Sequence, residues 1–168
     1  MYALQNRGRE AELWDWNTIK VLFGLLVCPV LLYGCELWAS SIPISKWKQM
    51  EKIPKRLIMS KFKIKISGPY EIMLSETGAT PIEVIAMVHL IRYLKRMEKM
   101  GEGRWPKFIF NKGISEIKKS WMRKNNKWMQ KWNIYLNACP KNSKELKNFV
   151  LEKFCKGKIG RASCRERV

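Results

Sequence analysis

Aspartate is nearly absent from this chain of 168 residues, because Asp15 is the only one. No Asp-Asp pair exists that could help to hold the two metal ions used by polymerases and related phosphoryl-transfer enzymes. Glu36, Glu76 and Glu83 are poor substitutes, since helix capping explains Glu83 and pairing near a helix end explains Glu36. We therefore expect no catalytic residue in this chain.

Histidine and paired cysteines are also scarce. His89 is the single histidine, and none of the five cysteines has Cys-x-x-Cys spacing, so no local zinc motif is present. His89 is expected to be a packed core residue with one hydrogen bond. Cys28 and Cys35 are expected to act as small hydrophobes. We predict no metal and no cofactor in this chain, and a reducing intracellular location, nuclear or cytoplasmic.

A continuous apolar run long enough for a membrane span is missing. Val21–Cys35 is uncharged over fifteen residues, whereas a span needs about 20 apolar residues. The run predicts instead a buried core helix that is bent near Pro29, whose ring removes a backbone hydrogen bond. A membrane anchor over residues 19–38 is the weaker alternative, and no signal peptide is visible.

Positive charge is what the sequence has in excess. Lysine and arginine number 33 against 14 acidic residues, a formal net charge of +19. A field of this sign attracts polyanions. Nucleic acid is the leading partner, an anionic membrane surface is the second, and a merely solvated lysine-rich surface is the third interpretation.

The spacing of apolar residues predicts an all-α fold, mainly a helical bundle. The main helices are expected near 17–38, 45–60, 81–100 and 115–138, and Asp15 or Asn17 is expected to cap the first of them. Shorter helices are expected near 69–74 and 143–154, the latter capped by Ser143. Residues 101–113 are expected to form a loop. Residues 61–66 alternate between lysine and apolar side chains, which fits either one short strand or the frayed end of a helix.

Two of these helices carry basic faces opposite their apolar stripes. One of them begins at Thr80-Pro81 with Glu83 completing a capping box. We predict that both faces bind the nucleic-acid backbone through Lys48, Lys52, Lys55, Arg56, Arg92, Lys95, Arg96 and Lys99. Trp121, Trp128 and Trp132 lie at helical spacing, so a core position is favoured over stacking on bases.

Two blocks of the sequence resemble a known family. Leu31-Leu32-Tyr33-Gly34 with Glu36-x-Trp38, followed by Glu76-Thr77-Gly78-Ala79-Thr80-Pro81, resembles the region after the palm of reverse transcriptases from LINE-like (non-LTR) retrotransposons. The likeness covers about Leu4 to Ile109. It implies a helical thumb and connection that pack on the template–product duplex.

The resemblance also implies which partners the chain has and which activity it lacks when alone. The partners would be an RNA/DNA duplex and the upstream palm of a parent polyprotein, with Met1 an internal methionine. Mg²⁺ would belong to the full-length RNA-directed DNA polymerase, and this chain alone would be inactive. The alternatives are a stand-alone basic nucleic-acid-binding protein and, less favoured, a membrane-associated protein.

Three segments are expected along the chain. Residues 1–110 form the region that resembles a thumb and connection. Residues 111–159 form a basic, tryptophan-rich helical extension. Residues 160–168 change from lysine to arginine and resemble translated adapter sequence, so they are expected to be a non-native tail.

Overall fold

The computed structural model describes residues 15–64, 70–115 and 121–165. These residues form helices and turns without a β-strand, which confirms the all-α prediction. The predicted alternating stretch is helical to Phe62 and turns at Lys63, and residues 65–69 lie outside the described part.

The helices follow one another in a simple order. Successively they are α1 Trp16–Leu22, a π-helical segment Phe23–Val27, α2 Cys28–Leu31, α3 Cys35–Trp38, α4 Ile44–Phe62, α5 Tyr70–Thr77, α6 Ile82–Glu98, α7 Trp105–Ser115, α8 Trp121–Gln130 and α9 Ser143–Arg165. Short 3₁₀ turns occupy Ala39–Ser41 and Leu136–Ala138.

The chain divides into two compact units. The first unit comprises Met1–Tyr33 and Lys52–Ala79, and the second comprises Gly34–Glu51 and Thr80–Val168. These boundaries differ from the three segments expected from the sequence, because each unit joins stretches that are distant along the chain.

The first unit is built around a small core. Ile58 of α4 packs with Met73 and Leu74 of α5, and Trp16 lies against them. The indole Nε1 of Trp16 donates to the carbonyl of Thr77 at 2.6 Å. Because Thr77 ends α5, this bond satisfies one of the carbonyls that a helix leaves unpaired at its C-terminus.

The apolar run from Val21 to Tyr33 is mostly exposed, which contradicts the prediction that it anchors the core. Only Cys28 and Leu32 are buried. Four others, Leu22, Phe23, Val27 and Leu31, are half-buried. Five large apolar side chains face solvent and form what we call the apolar stripe, namely Val21, Leu25, Leu26, Val30 and Tyr33. Apolar periodicity marks a face, but burial also needs another element to cover that face.

Just before Pro29 the helix changes from α to π type, and the helix expected over 17–38 is interrupted at residues 32–34. In the π-helical segment the backbone N–H of Cys28 donates to the carbonyl of Phe23, five residues earlier. Pro29 then falls in the first turn of α2, where its missing N–H costs little. The predicted cap at the start is confirmed, since the Asp15 side chain accepts from the N–H of Asn17 at 3.3 Å.

The second unit is centred on α6. This helix buries nine residues, namely Ile82, Val84, Ala86, Met87, Val88, Leu90, Ile91, Leu94 and Met97. The set covers more of the helix than the predicted inner stripe, because α3, α7 and α9 all pack against it. Helix α6 is therefore the main core element of this unit.

The capping box predicted for α6 is wrong. Pro81 occupies the cap position and makes no side-chain cap bond. The backbone N–H of Glu83 instead donates to Oε1 of Glu51 at 3.2 Å. A carboxylate from a distant part of the chain thus satisfies an N–H that the local pattern assigned to Thr80.

The C-terminal half was predicted less accurately than the N-terminal half. The expected loop 101–113 contains most of helix α7, and the long helix expected over 115–138 is described only as α8, Trp121–Gln130. Asn133 ends it at φ 52°, while the N–H of Ile134 donates to the carbonyl of Met129 at 3.1 Å. This is the Schellman arrangement, in which asparagine replaces the usual glycine.

The last helix begins where expected and continues further. The Asn142 side chain, not that of Ser143, accepts the N–H of Lys144 at 3.1 Å. The helix runs to Arg165 and so includes part of the stretch predicted to be a non-native tail. Residues 166–168 lie outside the described part.

Candidate nucleic-acid interface

The predicted basic face of α4 divides between the two units. In the first unit, Lys52 and Arg56 are exposed and Lys55 is half-buried. In the second unit, Lys48 is exposed. No hydrogen bond or ion pair joins Lys48, Lys52 or Arg56 to another residue in the described ranges, so these three cations point to solvent.

The four cations predicted on α6 have two different roles. The ammonium of Lys95 donates to the carbonyls of Cys139 and Pro140, at 2.5 and 3.0 Å, and Arg92 donates to the hydroxyl of Ser143. Both side chains therefore hold the approach to α9 against α6. Arg96 and Lys99 are exposed and have no such partner in the described part of the chain.

Five of the eight predicted residues thus form a set that we call the free cations. They are Lys48, Lys52, Arg56, Arg96 and Lys99. A phosphate contact needs an accessible cation, and a side chain already bound to carbonyls would have to give up those bonds first.

Burial of the tryptophans agrees with the core prediction. Trp128 and Trp132 are buried, and the ring of Trp128 stacks on that of Trp47 with centroids 5.7 Å apart. Trp121 is half-buried, and its Nε1 donates to the carbonyl of Glu36 at 2.9 Å. These rings have little face left for stacking on bases.

An exposed aromatic surface lies instead on α7, where a loop was expected. Trp105 is 77% exposed and Phe108 is 46% exposed. The ammonium of Lys112 lies 4.7 Å from the ring centroid of Phe108, a cation–π contact. The spacing of Trp105, Phe108 and Lys112 is helical and is the signal that could have predicted this surface.

A cluster of three potential metal ligands lies between α3 and α6 in the second unit. Cys35, Glu36 and His89 bring their potential ligand atoms within 4.8 Å of one another, and His89 Nδ1 lies 4.0 Å from Glu36 Oε1. The expectation of a fully packed His89 is wrong, because its side chain is 43% exposed. No local motif could reveal this cluster, since His89 is distant in sequence from the other two residues.

Burial controls the titration of the cluster. Desolvation, helped by the charge of Glu36, raises the pKa of the Cys35 thiol to about 12. Desolvation also lowers the pKa of His89, with Arg92 acting in the same direction and Glu36 opposing. At neutral pH the imidazole is therefore mainly neutral, with a lone pair available to an acceptor or an ion.

Comparison with known proteins found no matching family model, curated protein or solved structure. The fold and the free cations define a strongly basic, all-α protein. Among the described helices, no single one is long and apolar enough to cross a membrane. One bent pair of helices, Trp16–Leu31 with Cys35–Ser41, is long and apolar enough for a span when judged by length and composition alone.

Proposed function

We propose that this chain is the region C-terminal to the palm of a non-LTR retrotransposon reverse transcriptase, and that it binds the template–product duplex without sequence preference. The observation that carries the proposal is that each unit exposes free cations, Lys52 and Arg56 in the first and Lys48, Arg96 and Lys99 in the second, in a chain with net charge +19. The resemblance of the Tyr33-Gly34 and Glu76–Pro81 blocks adds support. A thumb grips a duplex through phosphates and sugars, which requires accessible cations and helices.

The sequence-specific alternative is less well supported. Reading bases in a groove needs side chains with fixed donors and acceptors, and the free cations are all lysine or arginine without partners that would fix them. Contacts of this kind neutralise phosphates, so they give affinity rather than sequence discrimination. The upstream palm would supply the Mg²⁺-binding aspartates, because Asp15 is the only aspartate of this chain.

The first prediction concerns salt dependence. If about six phosphates are neutralised, the log–log slope of affinity against salt should be near −5. Arg96→Gln and Lys99→Gln should each flatten the slope by about one unit. Fluorescence anisotropy of a labelled RNA–DNA hybrid, titrated at several salt concentrations, measures this, and a DNA duplex of equal length should bind no better.

The matched control is Lys147→Gln on α9, an exposed lysine outside the two proposed faces. We expect it to leave the slope unchanged. If all three changes flatten the slope equally, the binding is diffuse and no interface exists at α6. Binding that does not depend on salt would overturn the proposal.

The second prediction concerns catalysis. The chain alone should not extend a primer on an RNA template with Mg²⁺ or Mn²⁺, because Asp15 is its only aspartate and the Asp-Asp pair that would help to hold two metal ions is absent. Primer extension followed by gel electrophoresis checks this. Incorporation above a protein-free control would contradict the assignment to the region after the palm.

A membrane-associated protein is the second candidate, and the apolar stripe on α1–α2 favours it. Val30 is 80% exposed and Leu25 is 66% exposed, and exposed apolar patches mark contacts with proteins or membranes. Under the main proposal the upstream palm covers this stripe. Flotation with vesicles of neutral lipid in high salt distinguishes the two, because only a hydrophobic anchor carries the protein upward under those conditions.

A further inference from the structure

We propose that Cys35, Glu36 and His89 form a binding site for a divalent ion of the zinc class. Two helices of the second unit supply the ligands: α3 carries Cys35 and Glu36, and α6 carries His89. Their sulfur, oxygen and nitrogen atoms lie within 4.8 Å of one another. This site is independent of the proposed nucleic-acid interface and uses none of the free cations.

The donor set selects the ion. The metal–sulfur bond replaces the S–H bond of Cys35, so binding releases one proton to solvent. The resulting thiolate and an imidazole favour zinc or a similar late transition metal, whereas Mg²⁺ and Ca²⁺ prefer oxygen ligands. A carboxylate completes three protein ligands and leaves a fourth position for water. Three ligands plus water is the open arrangement found at catalytic rather than structural zinc sites.

The three ligand atoms need to move only a short distance to surround an ion. Ligand bonds of about 2.0–2.3 Å place tetrahedral ligand atoms roughly 3.3–3.8 Å apart, so the cluster must contract by about 1 Å. The Cys35 side chain is fully buried and fixed. The side chains of Glu36 and His89 are 27% and 43% exposed, so both have room to move toward it.

The backbone around the two adjacent ligands is already held in place. Gly34, at φ 61°, turns the chain into α3 and so sets the direction of Cys35. The indole of Trp121 donates to the carbonyl of Glu36. Arg92 acts electrostatically on His89 and opposes a cation there, so we expect weaker binding than at a closed structural zinc site.

Titration of the untagged full-length chain with Co²⁺ tests the site. Tetrahedral cobalt with a thiolate ligand shows visible d–d bands and a near-ultraviolet sulfur-to-metal charge-transfer band. We expect both bands to reach a plateau at equimolar metal, and to disappear when Zn²⁺ displaces Co²⁺. Cys35→Ser should abolish the charge-transfer band, while Cys155→Ser, at an exposed cysteine, should not alter it.

His89→Gln is the second variant, since its half-exposed position makes loss of folding a minor concern. Removing a direct ligand should weaken Co²⁺ binding by more than the roughly 10- to 100-fold expected for an outer-shell partner. Circular dichroism of every variant checks that the helices remain. The proposal is overturned if no charge-transfer band forms, if the band persists in folded Cys35→Ser, or if His89→Gln binds Co²⁺ as tightly as the parent chain.

Discussion

Replacing Leu32 by alanine should lower the free energy of unfolding by about 2–5 kcal/mol. Leu32 is 4% exposed and is, with Cys28, one of two buried residues between Val21 and Tyr33. Shortening it removes buried methyl groups and leaves a cavity that the surrounding side chains fill only in part. Urea denaturation followed by circular dichroism measures the change.

Leu26→Ala is the matched control, because it makes the same chemical change in the same unit. Leu26 is 52% exposed, so little transfer free energy is lost, and we expect a change within about 0.5 kcal/mol. If both variants lose about 2–5 kcal/mol of stability, the apolar stripe is covered in solution. If neither variant loses measurable stability, Leu32 lies outside the core.

Replacing Asn125 by leucine should raise stability by about 1 kcal/mol or more. Asn125 lies on α8 and is fully buried. Among the described residues, neither its amide nitrogen nor its amide oxygen has a hydrogen-bond partner. An amide buried without partners costs about 1–3 kcal/mol. An apolar side chain of similar size removes that cost, and part of the gain is then offset by imperfect packing.

Thermal unfolding of Asn125→Leu beside Asn126→Leu checks this. Asn126 is the exposed neighbour on the same helix, so its replacement should change stability by no more than about 0.5 kcal/mol. A loss of stability in Asn125→Leu that Asn126→Leu does not share would contradict the prediction. The buried amide would then contribute favourably through hydrogen bonds.

Local patterns in the sequence predicted the elements whose signals are themselves local. The apolar spacing of α6, the Asp15 cap and the inward positions of Trp128 and Trp132 all depend on residues within a few turns of each other. Such periodicity is set by the helix itself, so it remains readable without knowledge of the partners.

Features that depend on distant residues were not predictable in this way. Glu51 caps α6 in place of Thr80. Asn133 ends α8 at a left-handed position that is usually occupied by glycine. Exposure of the stripe around Leu25 was missed for the same reason. Whether an apolar face is buried depends on which element covers it, and a single sequence does not state that.

The candidate nucleic-acid interface was also predictable only where its signal is local. The exposed positions of Arg96 and Lys99 were predictable, because they lie opposite the apolar stripe of α6. Lys95 was assigned to the same face, yet it is held by two carbonyls that precede α9. The cluster around His89 was unpredictable, because no spacing rule connects two helices that meet only in the folded chain.

Gly34 has a consequence for chirality. Its φ of 61° favours glycine, yet a Cβ placed there would meet no atom within 4 Å. The obstacle to L-alanine is therefore torsional and amounts to roughly 1–2 kcal/mol, while the space itself is open. A D-alanine at this position would fit both the torsion and the space, and would restrict the unfolded chain more than glycine does. The turn into α3 thus requires a handedness that only glycine, among the genetically encoded residues, supplies freely.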